Sequence, residues 1–351
     1  MKVRTVKIEN FKSIRDLPHF ELRDINVLIG ANGAGKSNFI SYFKFLQQVM
    51  DDKLEAYVAQ KGGATNFLFF GRKPLKNLIL EIVFENDGLF DQYMLSLMPT
   101  DDNRFYFEME RSEGVNTIFH KGFFSRESHT LDTSKIRYLL KSYKIYHFHD
   151  VSDTAYLKGA CNINDNRQLR EDASNLPAFL YYLQQRFPVN FRRIEKIIRQ
   201  VAPFFDRFDL QPLANTPDQI MLEWREIGTD KYFNARHLSD GTLRMICLAT
   251  LFLQPEPPQM IIIDEPELGL HPAALNILGG IIRSAAHQSQ IIISTQSVTF
   301  INNFQPEDLI VVERKDGQST FKRLDAEKLE EWMEEYTVGE IWEKNIIGGR
   351  P

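Results

Sequence analysis

The chain has 351 residues, enough for a large core, and 43% of them are hydrophobic. Lysine and arginine together number 42 against 47 acidic residues, so the formal net charge is −5. This balance excludes a surface built for avid, nonspecific nucleic-acid binding, and any DNA contact has to be local or shared with a partner. The two cysteines, Cys161 and Cys247, lie far apart and indicate no disulfide framework. No apolar run approaches the roughly 20 residues of a membrane span and no signal-like segment opens the chain, so we expect a cytoplasmic protein without membrane contact.

A glycine-rich loop follows a buried strand predicted over residues 25–29 and precedes a helix predicted over residues 38–46. Its residues fit the phosphate-binding pattern G-x-x-x-x-G-K-[ST] (Walker A): Gly30, Ala31, Asn32, Gly33, Ala34, Gly35, Lys36 and Ser37. Glycines let backbone N–H groups turn around a phosphate, and the helix N-terminus adds partial positive charge. Lys36 is expected to reach the β- and γ-phosphates, and the Ser37 hydroxyl to hold Mg²⁺. The loop therefore predicts a nucleoside triphosphate site.

An antiparallel meander is predicted next, because apolar and polar residues alternate between turn clusters over residues 78–84, 93–97 and 104–110. A core strand is predicted over residues 143–150, with His147 and His149 on one face. A metal site is the alternative interpretation of these histidines. No third or fourth ligand stands at a metal-site spacing, so plain strand residues are the preferred interpretation.

From Asp172 onward the pattern becomes helical, with a second helix predicted over about residues 190–202. Arg192, Lys196 and Arg199 form a stripe on it that is either a solvated face, the preferred interpretation, or a contact for DNA phosphates or an acidic partner. The two strands of a hairpin that leads the chain to the next motif are predicted over residues 220–226 and 232–234.

Two carboxylates end a second buried strand. The apolar run before Asp264 suits the centre of a mostly parallel sheet, and Pro266 ends the strand so that Asp264 and Glu265 can reach one site. Asp264 is the candidate Mg²⁺ ligand (Walker B), and Glu265 is the candidate base for the attacking water. About 25 residues upstream lies Leu-Ser-Asp-Gly-Thr. There Ser239 is a predicted helix N-cap, and Gly241 permits close backbone approach.

The remaining elements are a helix over residues 273–286 and strands over residues 290–294 and 308–313. A final helix is predicted to be rich in acidic residues, namely Glu327, Glu330, Glu331, Glu334 and Glu335. It is interpreted either as an acidic partner surface or, preferably, as an exposed helix.

The order of these motifs resembles the ABC-type ATPase heads of the RecF, SMC and OLD-like group, in particular its stand-alone bacterial members. Leu-Ser-Asp-Gly-Thr, with the helix predicted after it, resembles the signature loop and signature helix of ABC-type ATPases, in which Leu-Ser-Gly-Gly-Gln is commoner. Besides these motifs, residues 6–16, 265–272, 291–297 and 338–351 carry the resemblance, which covers nearly the whole chain. It implies an α/β P-loop NTPase fold of ABC type, with a mostly parallel core sheet, an antiparallel β-subdomain and a helical lobe. The expected segments of this one head are an N-terminal nucleotide lobe (1–150), a helical lobe with the hairpin (151–235) and a C-terminal lobe (236–351).

The same resemblance implies ATP and Mg²⁺ as cofactors and a homodimer around ATP. In that dimer Ser239 and Gly241 of one copy face the γ-phosphate held by the other. The opening turn adds Lys12 and Ser13 to the expected nucleotide contacts, and the start of the loop helix adds Asn38. Gln296 is a departure, because this group usually has a histidine there, in a Thr-His-Ser context. A glutamine can sense the γ-phosphate by hydrogen bonding but cannot become cationic, so we expect it to weaken hydrolysis. The alternative interpretation is a neutral substitution.

The output implied by the resemblance is an ATP-driven switch linked to DNA repair or anti-phage defence that controls a separate nuclease or toxin. Alternatives are a scaffold held together by ATP with little turnover and a transport-associated ATPase. No long heptad region separates the motifs, which excludes a long-armed chromosome-organising protein. About 86 residues follow Glu265, and we expect them to leave no room for the nuclease domain that OLD-type nucleases carry there.

Overall fold

The computed structural model describes residues 1–71, 77–86, 88–113, 122–123 and 134–350. Its strands are β1 (Lys2–Phe11), β2 (Ile14–Glu21), β3 (Ile25–Ile29), β4 (Leu78–Asn86), β5 (Leu89–Pro99), β6 (Phe105–Glu113), β7 (Gly122–Phe123), β8 (Tyr143–Tyr146), β9 (Cys161–Asn162), β10 (Phe205–Phe208), β11 (Pro212–Leu213), β12 (Thr216–Ile220), β13 (Glu223–Glu226), β14 (Tyr232–Asn234), β15 (Met260–Asp264), β16 (Gln290–Thr295), β17 (Leu309–Lys315) and β18 (Gln318–Arg323). Its α-helices are α1 (Lys36–Met50), α2 (Leu54–Gln60), α3 (Ser134–Ser142), α4 (Leu176–Arg186), α5 (Pro188–Val201), α6 (Asp240–Leu253), α7 (Pro272–Ala285), α8 (Val298–Ile301), α9 (Glu330–Met333) and α10 (Val338–Glu343).

The chain forms two compact units, each assembled from separate stretches of sequence. The first contains Met1–Tyr143, Gln290–Val298 and Gln305–Pro351, and the second contains Lys144–Ser289 and Thr299–Phe304. The boundaries between these units differ from the boundaries between the three predicted segments. The division into three segments stays a prediction.

The core of the first unit is a mainly parallel set of strands in the order β18-β17-β3-β16. Strand β3 pairs in parallel with both β16 and β17, and β18 closes the set as the antiparallel partner of β17. All five residues of β3 are buried, as the continuous apolar pattern predicts. The one polar residue among them, Asn26, accepts hydrogen bonds from the backbone N–H of Arg23 and from the Arg323 guanidinium.

The second sheet of this unit is fully antiparallel, in the order β2-β1-β4-β5-β6-β7, and its strands β4, β5 and β6 are the predicted meander. A cluster of phenylalanine rings packs beneath it. Phe45, on α1, lies 5.3 to 6.0 Å from the ring centres of Phe11, Phe67 and Phe105. This apolar contact joins the helix that follows the glycine loop to the meander, so the loop rests on a well-packed base.

The second unit is largely helical. Helix α5 packs on α4 and α6, and α6 packs on α7. Strands β15 and β8 are neighbours, and two small antiparallel sheets have the orders β10-β13-β14 and β11-β12-β9. The predicted fold class is thus confirmed: a mostly parallel core sheet, an antiparallel β-subdomain and a helical lobe.

Three element predictions were wrong in extent. The strand predicted over residues 143–150 ends at Tyr146, because the His147 N–H turns to the carbonyl of Glu171 instead of continuing a ladder. The hairpin's first strand is split into β12 and β13 around residues 221–222. The acidic helix is broken into a 3₁₀ turn at Glu327–Leu329 and the single turn of α9. Like charges four residues apart along that stretch repel one another and disfavour a continuous helix.

Two kinds of feature, a cluster of metal ligands and a membrane-spanning helix, are absent from the described residues. In the described part of the chain, no three His, Cys, Asp or Glu side chains are grouped to hold a metal ion. Among the same residues, no helix combines the length and the apolar character that crossing a bilayer requires.

Candidate functional site

The glycine-rich loop lies between β3 and α1 in the first unit, as the motif predicts, and two of its glycines are required by close packing. A Cβ on Gly30 would lie 2.2 Å from the carbonyl oxygen of Val312, on β17. A Cβ on Gly35, whose φ is 120°, would lie 2.1 Å from the Ser319 hydroxyl, on β18. Hairpin β17–β18 thus packs against both ends of the loop, and no larger residue fits at either glycine.

Lys36 is buried inside the loop, with 6% of its surface exposed. Its Nζ donates hydrogen bonds to the carbonyl oxygens of Gly30 at 2.5 Å and Ala31 at 3.1 Å, so the ammonium lies within the curve of the loop. Ser37, next to it, is exposed. Helix α1 begins at Lys36, and its first turn supplies partial positive charge. A buried cation at a helix N-terminus, beside an exposed hydroxyl, suits a phosphate chain and its Mg²⁺.

The predicted contacts from the opening turn have different surroundings. Ser13 Oγ accepts a hydrogen bond from Asn38 Nδ2 at 2.7 Å, which ties the turn to α1. Lys12 Nζ lies 5.6 to 5.7 Å from the ring centres of Phe11 and Phe67. Burial, followed by the charges of other lysines, lowers the pKa of Lys12. Ser13 is therefore part of the loop's hydrogen-bond network, whereas the Lys12 ammonium rests on aromatic rings.

Gln296 follows β16 and contacts the loop within the same unit. Its Nε2 donates a hydrogen bond of 2.7 Å to Asn32 Oδ1. The structure thus brings the predicted switch residue and the exposed tip of the glycine loop together. Because Asn32 stands within the phosphate-binding pattern, this hydrogen bond joins the segment after β16 to that pattern.

In the second unit, β15 ends at Asp264, and Glu265 has the left-handed φ of 44° immediately before Pro266. A non-glycine residue in this region costs of order 1–3 kcal/mol and is held there by its surroundings. His149 Nε2 lies 3.1 Å from the carbonyl oxygen of Asp264. The strand end therefore has the predicted form, with two partly exposed carboxylates at a strained turn. His149, in the segment after β8, therefore contacts this turn.

Arg244, on α6, was not singled out by sequence reasoning. Its guanidinium donates to the carbonyl oxygens of Phe148 at 3.1 Å, His149 at 3.0 Å and Leu268 at 2.7 Å. It therefore joins the signature helix to the segment after β8 and to the turn after Glu265. No motif marks it, because the three acceptors are backbone atoms and leave no trace in the sequence.

The start of α6 has the predicted cap. Ser239 Oγ accepts the N–H of Thr242 at 3.2 Å, and Ser239 itself is exposed. A Cβ on Gly241 would lie 2.2 Å from the carbonyl oxygen of Gly269, so this glycine is needed for close packing. Asp240 replaces the glycine of the commoner Leu-Ser-Gly-Gly-Gln form, and the buried Lys158 Nζ lies 3.5 Å from its carboxylate. That contact offsets part of the negative charge that Asp240 brings to the helix start.

Comparison with known proteins agrees with this arrangement. A family model described as "AAA domain, putative AbiEii toxin, Type IV TA system" matches residues 25–302. The Old nuclease of Escherichia phage P2 is 23% identical over 384 residues, covering 94% of this chain and 62% of the nuclease, so the chain spans about three fifths of that relative's length.

Solved structures with the same fold include an Smc head bound to the C-winged helix domain of ScpA. Its TM-score is 0.65 at 18% identity, and the match covers 94% of this chain and 100% of that one. An Smc head from Pyrococcus furiosus, bound to the C-terminal domain of ScpA, gives a TM-score of 0.60 at 15% identity, covering 95% and 99%. The SMC head domain from Thermotoga maritima gives 0.53 at 15% identity, covering 93% and 100%. At these identities the likeness shows the fold.

The family model covers more than half of the chain, and the structural likeness is to SMC heads, as the order of motifs predicts. The chain therefore belongs to the AAA-domain family that this model describes and has the fold of the SMC heads.

Proposed function

We propose that this protein binds and hydrolyses ATP as a molecular switch. The observation that carries the proposal is the loop between β3 and α1, where the Lys36 ammonium is buried against two backbone carbonyls at a helix N-terminus. A cation in that position exchanges carbonyl acceptors for phosphate oxygens at little cost. Binding should therefore depend on Lys36.

The roles proposed for the other residues follow their chemistry. Ser37 and Asp264 would hold Mg²⁺, which supplies positive charge to the phosphate oxygens. Glu265 would act as the general base that takes a proton from the attacking water. Gln296 would report the state of the γ-phosphate through its hydrogen bond to Asn32.

A homodimer closed around ATP is the proposed active form. Ser239 and Asp240 are exposed at the start of α6, a helix of 14 residues whose N-terminus carries partial positive charge. That helix start, with Ser239 and Gly241, would bind the γ-phosphate held by a second copy. A two-fold dimer has two equivalent composite sites of this kind. Loss of the γ-phosphate removes a contact from each, so hydrolysis would open the dimer.

The output proposed for the switch is a DNA-linked response in repair or anti-phage defence, acting through a separate effector protein. The similarity to a phage nuclease supports the DNA link of this proposal. Stimulation of ATP hydrolysis by DNA would support the DNA link. Equal rates of ATP hydrolysis with and without DNA would contradict the proposed DNA link.

The decisive experiment compares Glu265→Gln with wild type. The variant keeps the shape of the side chain but loses the base, so hydrolysis should fall by roughly 10²–10⁴-fold while ATP stays bound and the dimer accumulates. Phosphate release and light scattering on a sizing column measure the two effects. The exposed Glu256→Gln is the matched control and should match wild type. Fast hydrolysis by Glu265→Gln, or a monomer in ATP, contradicts the proposal.

A scaffold that uses ATP with little turnover is the second candidate. The observation in its favour is Gln296, which cannot take up a proton near neutral pH as a histidine can. In that case wild type itself should dimerise in ATP and release almost no phosphate. Lys36→Ala should abolish dimerisation under either reading, because it removes the buried cation that binds the phosphates.

A further inference from the structure

A chain of hydroxyl groups connects strand β18 to the backbone of the glycine loop. Ser319 Oγ lies 2.5 Å from the carbonyl oxygen of Ala34 and 2.6 Å from Ser13 Oγ. Ser13 Oγ in turn lies 2.7 Å from Asn38 Nδ2. Ser319 is 2% exposed, so water does not compete for these bonds.

The direction of each hydrogen bond in this chain follows from counting protons. A carbonyl oxygen only accepts, so Ser319 must donate its single hydroxyl proton to the carbonyl oxygen of Ala34. Ser319 Oγ must then accept from the Ser13 hydroxyl, and Ser13 must accept from the Asn38 amide. Every donor points the same way, from α1 through the opening turn and β18 to the loop carbonyl, and such aligned bonds strengthen one another.

Fixing the Ala34 carbonyl also fixes the next amide. In a planar trans peptide the C=O of one residue and the N–H of the following residue point in opposite directions. Ser319 pulls the Ala34 carbonyl toward β18, so the Gly35 N–H is directed away from β18 toward the inside of the loop. An N–H held there is preorganised to donate to a phosphate oxygen.

From this geometry we infer that Ser319 is a positioning residue for phosphate binding, acting through the peptide between Ala34 and Gly35. The inference rests on the proposed binding of ATP by the loop. A second contact fixes Ser319 itself, because its backbone N–H donates to the Ser13 carbonyl at 2.7 Å. The hydroxyl therefore reaches the loop from an anchored strand rather than from a mobile side chain.

The test is Ser319→Ala, which removes the hydroxyl and leaves the strand. Loss of one hydrogen bond that orients the amide should raise the Kd for ATP about 2- to 10-fold. The same factor should appear with inorganic tripolyphosphate, which lacks the base, because the affected amide contacts only phosphate. Fluorescence titration or calorimetry measures both, and thermal melting without ligand records the change in stability.

Ser289→Ala is the matched control. Ser289 is also buried, at 1% exposure, and its hydroxyl also donates to a backbone carbonyl, that of Pro258 at 2.7 Å. It should lower the melting temperature by a similar amount and leave the Kd unchanged. Equal weakening of ATP binding by both variants, or an unchanged Kd in Ser319→Ala, overturns the inference.

If Ser319→Ala does not fold, Ser13→Ala breaks the same chain one bond further from the loop and should raise the Kd by a smaller factor. An unchanged Kd in Ser13→Ala then overturns the inference. Wild-type protein that binds neither ATP nor tripolyphosphate would instead refute the proposed function. The two failures are therefore distinguishable.

Discussion

Replacing Arg244 tests whether one side chain holds together the segments around the turn at Asp264 and Glu265. Its guanidinium makes three hydrogen bonds to backbone carbonyls, at 2.7, 3.0 and 3.1 Å. A typical hydrogen bond contributes about 0.5–1.5 kcal/mol net to stability, and one to a charged group contributes about 1.5–3 kcal/mol. Arg244 is only partly buried, so the lower value applies to most of the set. Arg244→Ala should therefore lower the free energy of unfolding by about 2–4 kcal/mol.

For a chain of 351 residues, that loss corresponds to a fall in melting temperature of about 3–5 °C. Arg244→Lys keeps the charge but has no planar fork, so it can replace one of the three bonds and should recover less than half of the loss. Two of the acceptors, on His149 and Leu268, belong to segments that contact the turn at Asp264 and Glu265. We therefore expect kcat to fall more than KM rises. Scanning calorimetry and a steady-state ATPase assay measure these effects.

The matched control is Arg192→Ala, which removes an exposed arginine from α5 in the same unit. It should change the free energy of unfolding by less than about 0.5 kcal/mol. The reasoning fails if Arg244→Ala melts within a degree of wild type. It also fails if Arg244→Lys retains both full stability and full turnover.

Gln296→His should raise the rate of ATP hydrolysis, since an imidazole can carry charge near neutral pH; a phosphate-release assay showing an equal or lower rate would count against the role given to Gln296. Gly241→Ala should impair dimerisation in ATP and lower the melting temperature, because its Cβ would fall 2.2 Å from the Gly269 carbonyl oxygen; a dimer of normal affinity on a sizing column would contradict the close packing. Burial raises the pKa of Cys247 to about 12, so its thiol should stay protonated and unmodified by iodoacetamide at pH 8 until the protein unfolds; rapid labelling of Cys247 in the native state, seen by mass spectrometry, would refute this.

The glycine-rich loop, the strands around it and the turn at Asp264 could be predicted because each depends on local residue types at fixed spacing. Glycine, lysine and serine at 30–37, or two carboxylates before a proline, carry their chemistry in the order of the residues. Ser319 could not be found in this way. It is a single serine in a strand, and it meets Ala34 only because hairpin β17–β18 folds back onto the loop.

The strand predicted over residues 143–150 was too long for a related reason. Alternation of apolar and polar residues continues past Tyr146, but the backbone hydrogen bonds do not. The His147 N–H bonds to Glu171, and the carbonyls of Phe148 and His149 are taken by Arg244. Long-range partners decide where a strand ends, and a pattern of single residues does not contain them.

The place of β3 between β16 and β17 has a consequence for synthesis. The strand that carries the nucleotide loop is made early, at Ile25–Ile29, yet both of its neighbours come from the last quarter of the chain. About 260 further residues must be added before β16 appears, which takes about 13–52 s at ribosomal rates of about 5–20 residues per second. Throughout that time the apolar strand β3 lacks the two neighbours with which it pairs in the folded protein. The nascent chain should therefore need a chaperone to shield it, and truncations before residue 290 should aggregate rather than fold.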